Sequence, residues 1–181
     1  MAERLRFRVR PAQPEDAAAI ARMIRALSEA EGGRSRMRAA DVRAHGFGPR
    51  ACFSLLLAEE ASGRAAASAS ASSARARPRA LGYALSSPFF DTDAGRPGAF
   101  LTDLFVDPAA RCQGVGRALM AGLAAETRRS GGSFLVWTAR ADNIGALAFY
   151  RRIGAVGGVQ TLHFLDGRPL SRLAARAVPK Q

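Results

Sequence analysis

A strand that runs into a glycine-bearing loop and directly on into a helix constrains this chain more than any other segment. Leu101–Val106 reads as an apolar strand, Asp107-Pro108-Ala109-Ala110 turns it, and Arg111-Cys112-Gln113-Gly114-Val115-Gly116 opens a helix carrying Val115, Leu119, Met120 and Leu123 along one side. Such a loop presents unpaired backbone N–H groups and the positive end of the helix dipole, which together cradle a phosphate or pyrophosphate. The plainer alternative is a helix-start loop whose glycines serve close packing. A dinucleotide fold is disfavoured: seven residues separate Val106 from Gly114, whereas that fingerprint needs a tight strand-to-helix turn and a third glycine.

Strands and helices alternate around this unit. Leu5, Phe7 and Val9 alternate with Arg4, Arg6, Arg8 and Arg10, the period of a half-exposed strand. Pro14-Glu15-Asp16 then starts a helix expected over 14–30, with Ile20, Met23, Ile24 and Leu27 at helical spacing. A weaker helix is expected over 39–44 and a strand over 52–58. Residues 62–79 are almost entirely Ala, Ser and Arg, with nothing to bury, and read as a flexible loop inside the domain. Strands over 80–85 and 100–106 make a hairpin with a long connection over 86–98. A helix over 114–129, a strand over 133–138, a helix over 143–152 ended by Gly154 and a last strand over 159–165 complete an α/β class with a mixed sheet.

Length fits one domain of this kind, 181 residues in all and expected over 6–178. Its 27 Lys+Arg against 15 Asp+Glu give a net charge of +12, yet the sole lysine is Lys180. A Walker-type phosphate loop, an internal Schiff base and kinase-like chemistry therefore lose their required cation. Two histidines, His45 and His163, and two unpaired cysteines, Cys52 and Cys112, offer neither a zinc site nor a disulfide framework, so no metal is expected and a reducing compartment fits. The arginine-alternating start has no continuous apolar stretch of a signal peptide, and no segment is apolar enough to span a membrane; a cytoplasmic protein without membrane contact is expected.

Taken together, Leu104-Phe105-Val106-Asp107-Pro108 before Arg111-x-x-Gly114-x-Gly116, and Asp142-Asn143-x-x-Ala146-x-x-Phe149-Tyr150-x-x-x-Gly154 after one helix and strand, resemble the GNAT superfamily of acyl-CoA-dependent N-acetyltransferases. Arg8-Val9-Arg10-Pro11-Ala12, Gly46-Phe47-Gly48 and Phe149-Tyr150-Arg151-Arg152-x-Gly154-Ala155 are similar to the diamine (spermidine/spermine) and thialysine N-acetyltransferase branch. The resemblance implies a mostly antiparallel sheet of six to seven strands flanked by about four helices, splayed where acetyl-CoA enters. It implies that the backbone of Leu104, Phe105 and Val106 binds the pantetheine arm, and that Arg111, Cys112, Gln113, Gly114, Val115, Gly116 and Arg117 bind the pyrophosphate. Asn143, Ala146 and Phe149 would line the other side of the thiol arm, with the Tyr150 hydroxyl near the sulfur. A homodimer through C-terminal strands, within 156–165, is implied as well.

Direct transfer of an acetyl group to an amine needs a base for the ammonium, a donor for the developing oxyanion and a proton for the departing thiolate. Tyr150 suits the last role, a phenol of ordinary pKa about 10 being protonated at neutral pH; the backbone N–H of Val106 is the implied oxyanion donor. The polyamine branch carries Glu-Asp before the Phe-Phe-Val-type segment, where this chain has Thr102-Asp103, and a threonine cannot serve as a carboxylate. Asp103 is the candidate base, facing the opposite side of the sheet from Thr102, with a structural ion pair as its alternative. Glu29 and Glu31, Asp91 and Asp93 are the other acids near the acceptor side, and Thr102 stands beside them. The expected acceptor is a small cationic amine of polyamine or thialysine type. Protein N-termini, an antibiotic amine, or an inactive nucleic-acid or protein interaction module on the same fold are the alternatives; nucleic acid is disfavoured because the arginines are scattered without interleaved aromatics.

Overall fold

The computed structural model of the chain describes residues 5–61 and 77–177. The flexible loop expected over 62–79 lies, as far as residue 76, outside the described residues. Two compact units make up the chain, Met1–Arg140 and Ala141–Gln181.

The first unit is a five-stranded sheet in the order β1 (Phe7–Pro11), β2 (Ser54–Glu60), β3 (Ala80–Asp91), β4 (Arg96–Val106), β5 (Leu135–Trp137). The first three junctions are antiparallel and β4–β5 is parallel. Helices α1 (Ala17–Ala30) and α2 (Ala39–Gly46) belong to one face and α3 (Val115–Arg129) to the other. On the first face Ile20, Met23, Ile24 and Val42 pack with Leu55, Leu57, Tyr83, Leu85 and Phe105. Gly82 lies on the α3 side, where a Cβ would overlap the Phe105 carbonyl oxygen and crowd Leu119, so only glycine lets β3 and β4 approach here.

Two expectations are corrected. The long connection over 86–98 is instead strand: β3 and β4 run on to Asp91 and Arg96, and the turn is short. Pro88 and Pro97 fit within strands here because β2 ends its pairing at Ser86 and β5 begins at Ala99, so neither proline removes a hydrogen bond from a second ladder. Phe89, tilted against Phe100 at 6.2 Å and edge-on to Phe134 at 6.1 Å, stabilises the extension. The strand expected over 159–165 is also absent, leaving five strands among the described residues rather than six or seven. That segment has no ladder partner, and Val159, Leu162 and Phe164 are exposed. The second unit holds α4 (Ile144–Arg152) and α5 (Gly167–Ala174), the latter with Leu170 and Leu173 exposed.

Arg10 fixes how α1 meets the sheet. Its guanidinium donates to Asp16 Oδ2 at 2.7 Å and to Glu59 Oε2 at 2.7 Å, joining β1 to β2 and to the Pro14–Asp16 turn that leads into α1. Both acids are buried, 5% and 2% exposed. Arg8 adds a second bond to Glu59 and Arg77 one to Asp16 at 3.1 Å. Burial pushes the Asp16 carboxyl up, but the bonds from Arg10 and the Gln13 N–H outweigh it and hold it below the ordinary 3.8. Arg10 likewise holds Glu59 below 4.5 against its burial.

Arg10→Ala leaves both carboxylates buried with reduced compensation, and urea unfolding is expected to show a loss of about 3–5 kcal/mol. In the unsubstituted protein the depressed pKa values contribute stability that is complete above about pH 5 and is lost as pH falls below it, which thermal melts across pH 3–7 will register.

Candidate active site

The sheet opens where β4 loses its neighbour. β4 and β5 pair only over Ala99–Leu101 with Leu135–Trp137, so from Thr102 to Val106 that side of β4 has no ladder. The Asp107 N–H donates to the Leu81 carbonyl at 2.8 Å, which orients Asp107 toward β3. Strand main-chain groups alternate, so those of Phe105 also face β3, while those of Leu104 and Val106 face the gap. Of the three residues expected to offer backbone groups there, Phe105 instead has its main chain in the β3 ladder and its ring stacked 6.1 Å from Tyr83.

The loop after β4 is built to leave a helix start uncovered. Asp107 Oδ1 accepts from the Ala109 N–H at 2.9 Å to form the Pro108–Ala110 turn, and the Gln113 amide donates to the Ala109 carbonyl at 3.1 Å. Cys112 (φ 61°) and Gly114 (φ 89°) then take left-handed conformations, Cys112 being the one non-glycine to do so among the described residues. Gly114 is the N-cap of α3, and no side-chain bond to the first-turn N–H groups is made among the described residues. Val115 is buried as the anchor, while Arg111, Gln113 and Arg117 are exposed. Arg111 Nε donates to the Val106 carbonyl at 3.1 Å, linking the loop to the gap. An uncapped helix start with arginines beside it suits a pyrophosphate, so these residues fit acetyl-CoA.

A β-bulge decides where Asp103 points. Leu85 pairs with Asp103 but Ser86 pairs with Leu101, so Thr102 is an extra residue on β4, and it is exposed. Leu101 therefore shares the face of Ser86, whereas Asp103 shares that of Leu85 and Tyr83, the side of α1 and α2. There Asp103 Oδ2 accepts the Tyr83 hydroxyl at 2.9 Å. Burial raises the Asp103 carboxyl above its ordinary value, and the Tyr83 bond opposes this. Burial also raises the Tyr83 phenol, with the charges of Asp103 and then Glu31 acting in the same direction.

Sequence reasoning missed Tyr83. The available signal was a lone tyrosine in the otherwise aliphatic run Ala80–Leu85, since a buried phenol requires a partner. Among the other acids, Glu29 is exposed on the last turn of α1. Asp91 accepts the N–H groups of Asp93 and Ala94, both at 3.1 Å, and shapes the hairpin tip. Asp91 lies six residues along the strand from Leu85, placing Asp91 and Asp93 roughly 20 Å from Asp103.

In the second unit, Asn143 is the N-cap of α4 and its side chain accepts from the Ala146 N–H at 3.1 Å. The helix ends with Gly154 in the left-handed region, Gly154 N–H bonding Arg151 and Ala155 N–H bonding Tyr150, the pattern of a Schellman cap. Phe149 and Tyr150, both half-buried, have ring centroids 5.4 Å apart.

A cleft of about 960 Å³ lies in the first unit between the N-terminal half of α1 and the end of β4, with Arg10, Asp16, Glu59, Arg77, Phe105 and Asp107 in its walls. Those groups bond one another, and the cleft contains neither Asp103 nor any of residues 111–117. Among the described residues no three His, Cys, Asp or Glu side chains are grouped to hold a metal, and no helix is long and apolar enough to cross a membrane.

The profile of the acetyltransferase (GNAT) family matches residues 31–155. A thialysine N-epsilon-acetyltransferase of Mus musculus is 29% identical, over 93% of this chain and 98% of that one. Among solved structures, an integron cassette protein from the mobile metagenome of V. cholerae superposes with TM-score 0.70 at 22% identity, over 93% of this chain and 97% of its own. An aminoglycoside acetyltransferase from an uncultured soil metagenomic sample superposes with TM-score 0.66 at 17% identity, over 89% and 95%. At these identities the two structures establish the fold.

Asn143→Ala removes the α4 cap and is expected to cost about 0.5–2 kcal/mol, with faster amide exchange in the first turn of α4, whereas Asn143→Asp keeps most of the protection. Hydrogen-exchange mass spectrometry reads both.

Proposed function

Since the chain belongs to the GNAT acetyltransferase family, we propose that this acetyl-CoA-dependent N-acetyltransferase acts on the primary amine of a small cationic acceptor of polyamine or thialysine type, in a ternary complex. The observation that carries the acceptor class is Asp103: at the point where β4 leaves β5, the Thr102 bulge turns a half-buried carboxylate to the α1 face, and no arginine pairs with it among the described residues. The likeness to the mouse thialysine enzyme over nearly the whole of both chains supports the same class.

Acetyl-CoA supplies the acetyl group: the amine nitrogen bonds to the thioester carbonyl carbon as the carbon–sulfur bond breaks and CoA leaves. The α3 start and the exposed Arg111 and Arg117 hold the pyrophosphate. Leu104 and Val106 offer main-chain groups to the pantetheine arm, and the Val106 N–H stabilises negative charge developing on the carbonyl oxygen. Asp103, directly or through one water, takes the proton that the ammonium must lose. Burial suits it to this, because a carboxylate raised above its ordinary value is a stronger base at neutral pH. Tyr150 returns a proton to the sulfur. In this reading both units serve one catalytic domain over 6–178.

A second copy completes the molecule in this reading. Val156, Val159 and Phe164 are 99%, 103% and 85% exposed on a stretch outside helix and strand that joins no ladder among the described residues, and β5 is an edge strand of the sheet. We assign 156–165 to a homodimer contact; Val159→Asp with Phe164→Asp is expected to convert a dimer to a monomer in sedimentation velocity.

CoA release measured against spermidine, spermine, thialysine, amino acids, peptides and aminoglycosides is expected to be fastest with the polyamines or thialysine. Turnover confined to peptide N-termini or to aminoglycosides overturns the acceptor class. No turnover, together with DNA binding that falls steeply with salt, overturns the enzymatic reading in favour of an interaction module. Tyr150→Phe is expected to lower kcat on the order of 10²-fold with little change in KM for acetyl-CoA.

A further inference from the structure

We infer that Tyr83 is a positioning residue, whose hydroxyl holds the Asp103 carboxylate in one orientation on the α1 face so that a single oxygen, Oδ1, is left to receive the acceptor's proton. The inference rests on the reading of Asp103 as base.

The geometry of the pair carries it. Tyr83 is 0% exposed, its neighbour across the ladder is Phe105, and the two rings stack with centroids 6.1 Å apart and planes 30° apart. The ring has no room to turn, so the hydroxyl is fixed by packing that does not involve Asp103. A buried phenol must bond something, and the 2.9 Å bond to Asp103 Oδ2 is the one it makes among the described residues. Oδ1 accepts no hydrogen bond among the described residues. A carboxylate on a bulged strand, anchored through one oxygen and open through the other, is better suited to moving a proton than to holding the sheet together.

The proton between the two stays on the phenol. Burial, the Asp103 charge and the Glu31 charge all push the Tyr83 phenol well above its ordinary range, so Tyr83 remains a donor at every working pH. Glu31, on the turn after α1, and Tyr83, on β3, are the groups that bear on Asp103 and its partner from the elements around them. The hydroxyl bond stabilises the ionised carboxylate while burial opposes it. Tyr83 thus limits how far burial raises the base, keeping it ionised at lower pH than burial alone would allow. Its removal frees the carboxylate to rotate and raises its pKa further.

The test is the pH profile of kcat/KM for the best acceptor with Tyr83→Phe. The acidic limb is expected to move up by about one pH unit, the size of a hydrogen bond to a charged group, with KM for acetyl-CoA unchanged. A purely structural tyrosine would lower stability and leave the limb in place. Asp103→Glu keeps a carboxylate but takes it out of register with the hydroxyl, and with Tyr83 intact it is expected to lose at least tenfold in kcat. This variant decides the matter should Tyr83→Phe not fold. An unmoved limb in Tyr83→Phe, or full activity in Asp103→Glu, overturns the role of Tyr83 while the Asp103 reading stands, provided Asp103→Asn is inactive. An active Asp103→Asn with the limb retained overturns the reading of Asp103 itself, and the inference with it.

Discussion

Arg10 holds together three segments that would otherwise meet only through apolar contacts. One guanidinium bonds a buried carboxylate on β2 and another on the turn before α1, while its own strand, β1, lies against β2. Buried charges of this kind are poor sources of net stability, because removing them from water costs nearly as much as their attraction returns. They are effective at excluding alternatives: a one-residue slip of β1 would strand both carboxylates. The entry angle of α1 is thereby tied to the sheet, and α1 forms the face toward which Asp103 points.

Besides a register shift at Ala58/Glu59 between β2 and β3, the sheet departs from regularity twice more, and both of these departures fall on β4. The bulge at Thr102 breaks the two-residue alternation, and the early end of β5 leaves the main-chain groups of Leu104 and Val106 without a ladder. Unpaired strand groups beside a sheet interior are costly unless a ligand or water satisfies them. A pantetheine arm, which carries amides, is a ligand of the right chemistry. The same few residues therefore provide a backbone edge, a turned carboxylate and, through Asp107, the turn leading to an uncapped helix.

Much of this was legible in the sequence because the informative residues are local. The spacing from Val106 to Gly116 encodes strand, turn and helix start without reference to anything distant, and the loop has that form. The Asn143 and Gly154 spacing marks the ends of α4 for the same reason. Other features depended on pairing that no single segment displays. Period-two reasoning puts Leu101, Asp103 and Phe105 on one face, and only the registration of β4 against β3 shows the extra residue that moves Leu101 to the other. The 86–98 segment read as a connection because the absence of a second neighbour, which makes Pro88 and Pro97 harmless in a strand, is a property of the sheet. The 159–165 stretch has strand composition, but composition supplies no ladder.

The arginine excess bears on the site by contrast. With 27 Lys+Arg to 15 Asp+Glu, an acid in this chain is surrounded by available cations. Accordingly Glu59, Glu60 and Asp91 on the strands, and Asp107 just beyond β4, each pair with an arginine. Asp103 does not; its neighbour is a phenol. In a molecule this basic, a half-buried strand carboxylate escapes a guanidinium only if the local packing excludes one, and the Tyr83–Phe105 stack beside it does so. The overall +12 thus coexists with one half-buried carboxylate that no arginine neutralises among the described residues.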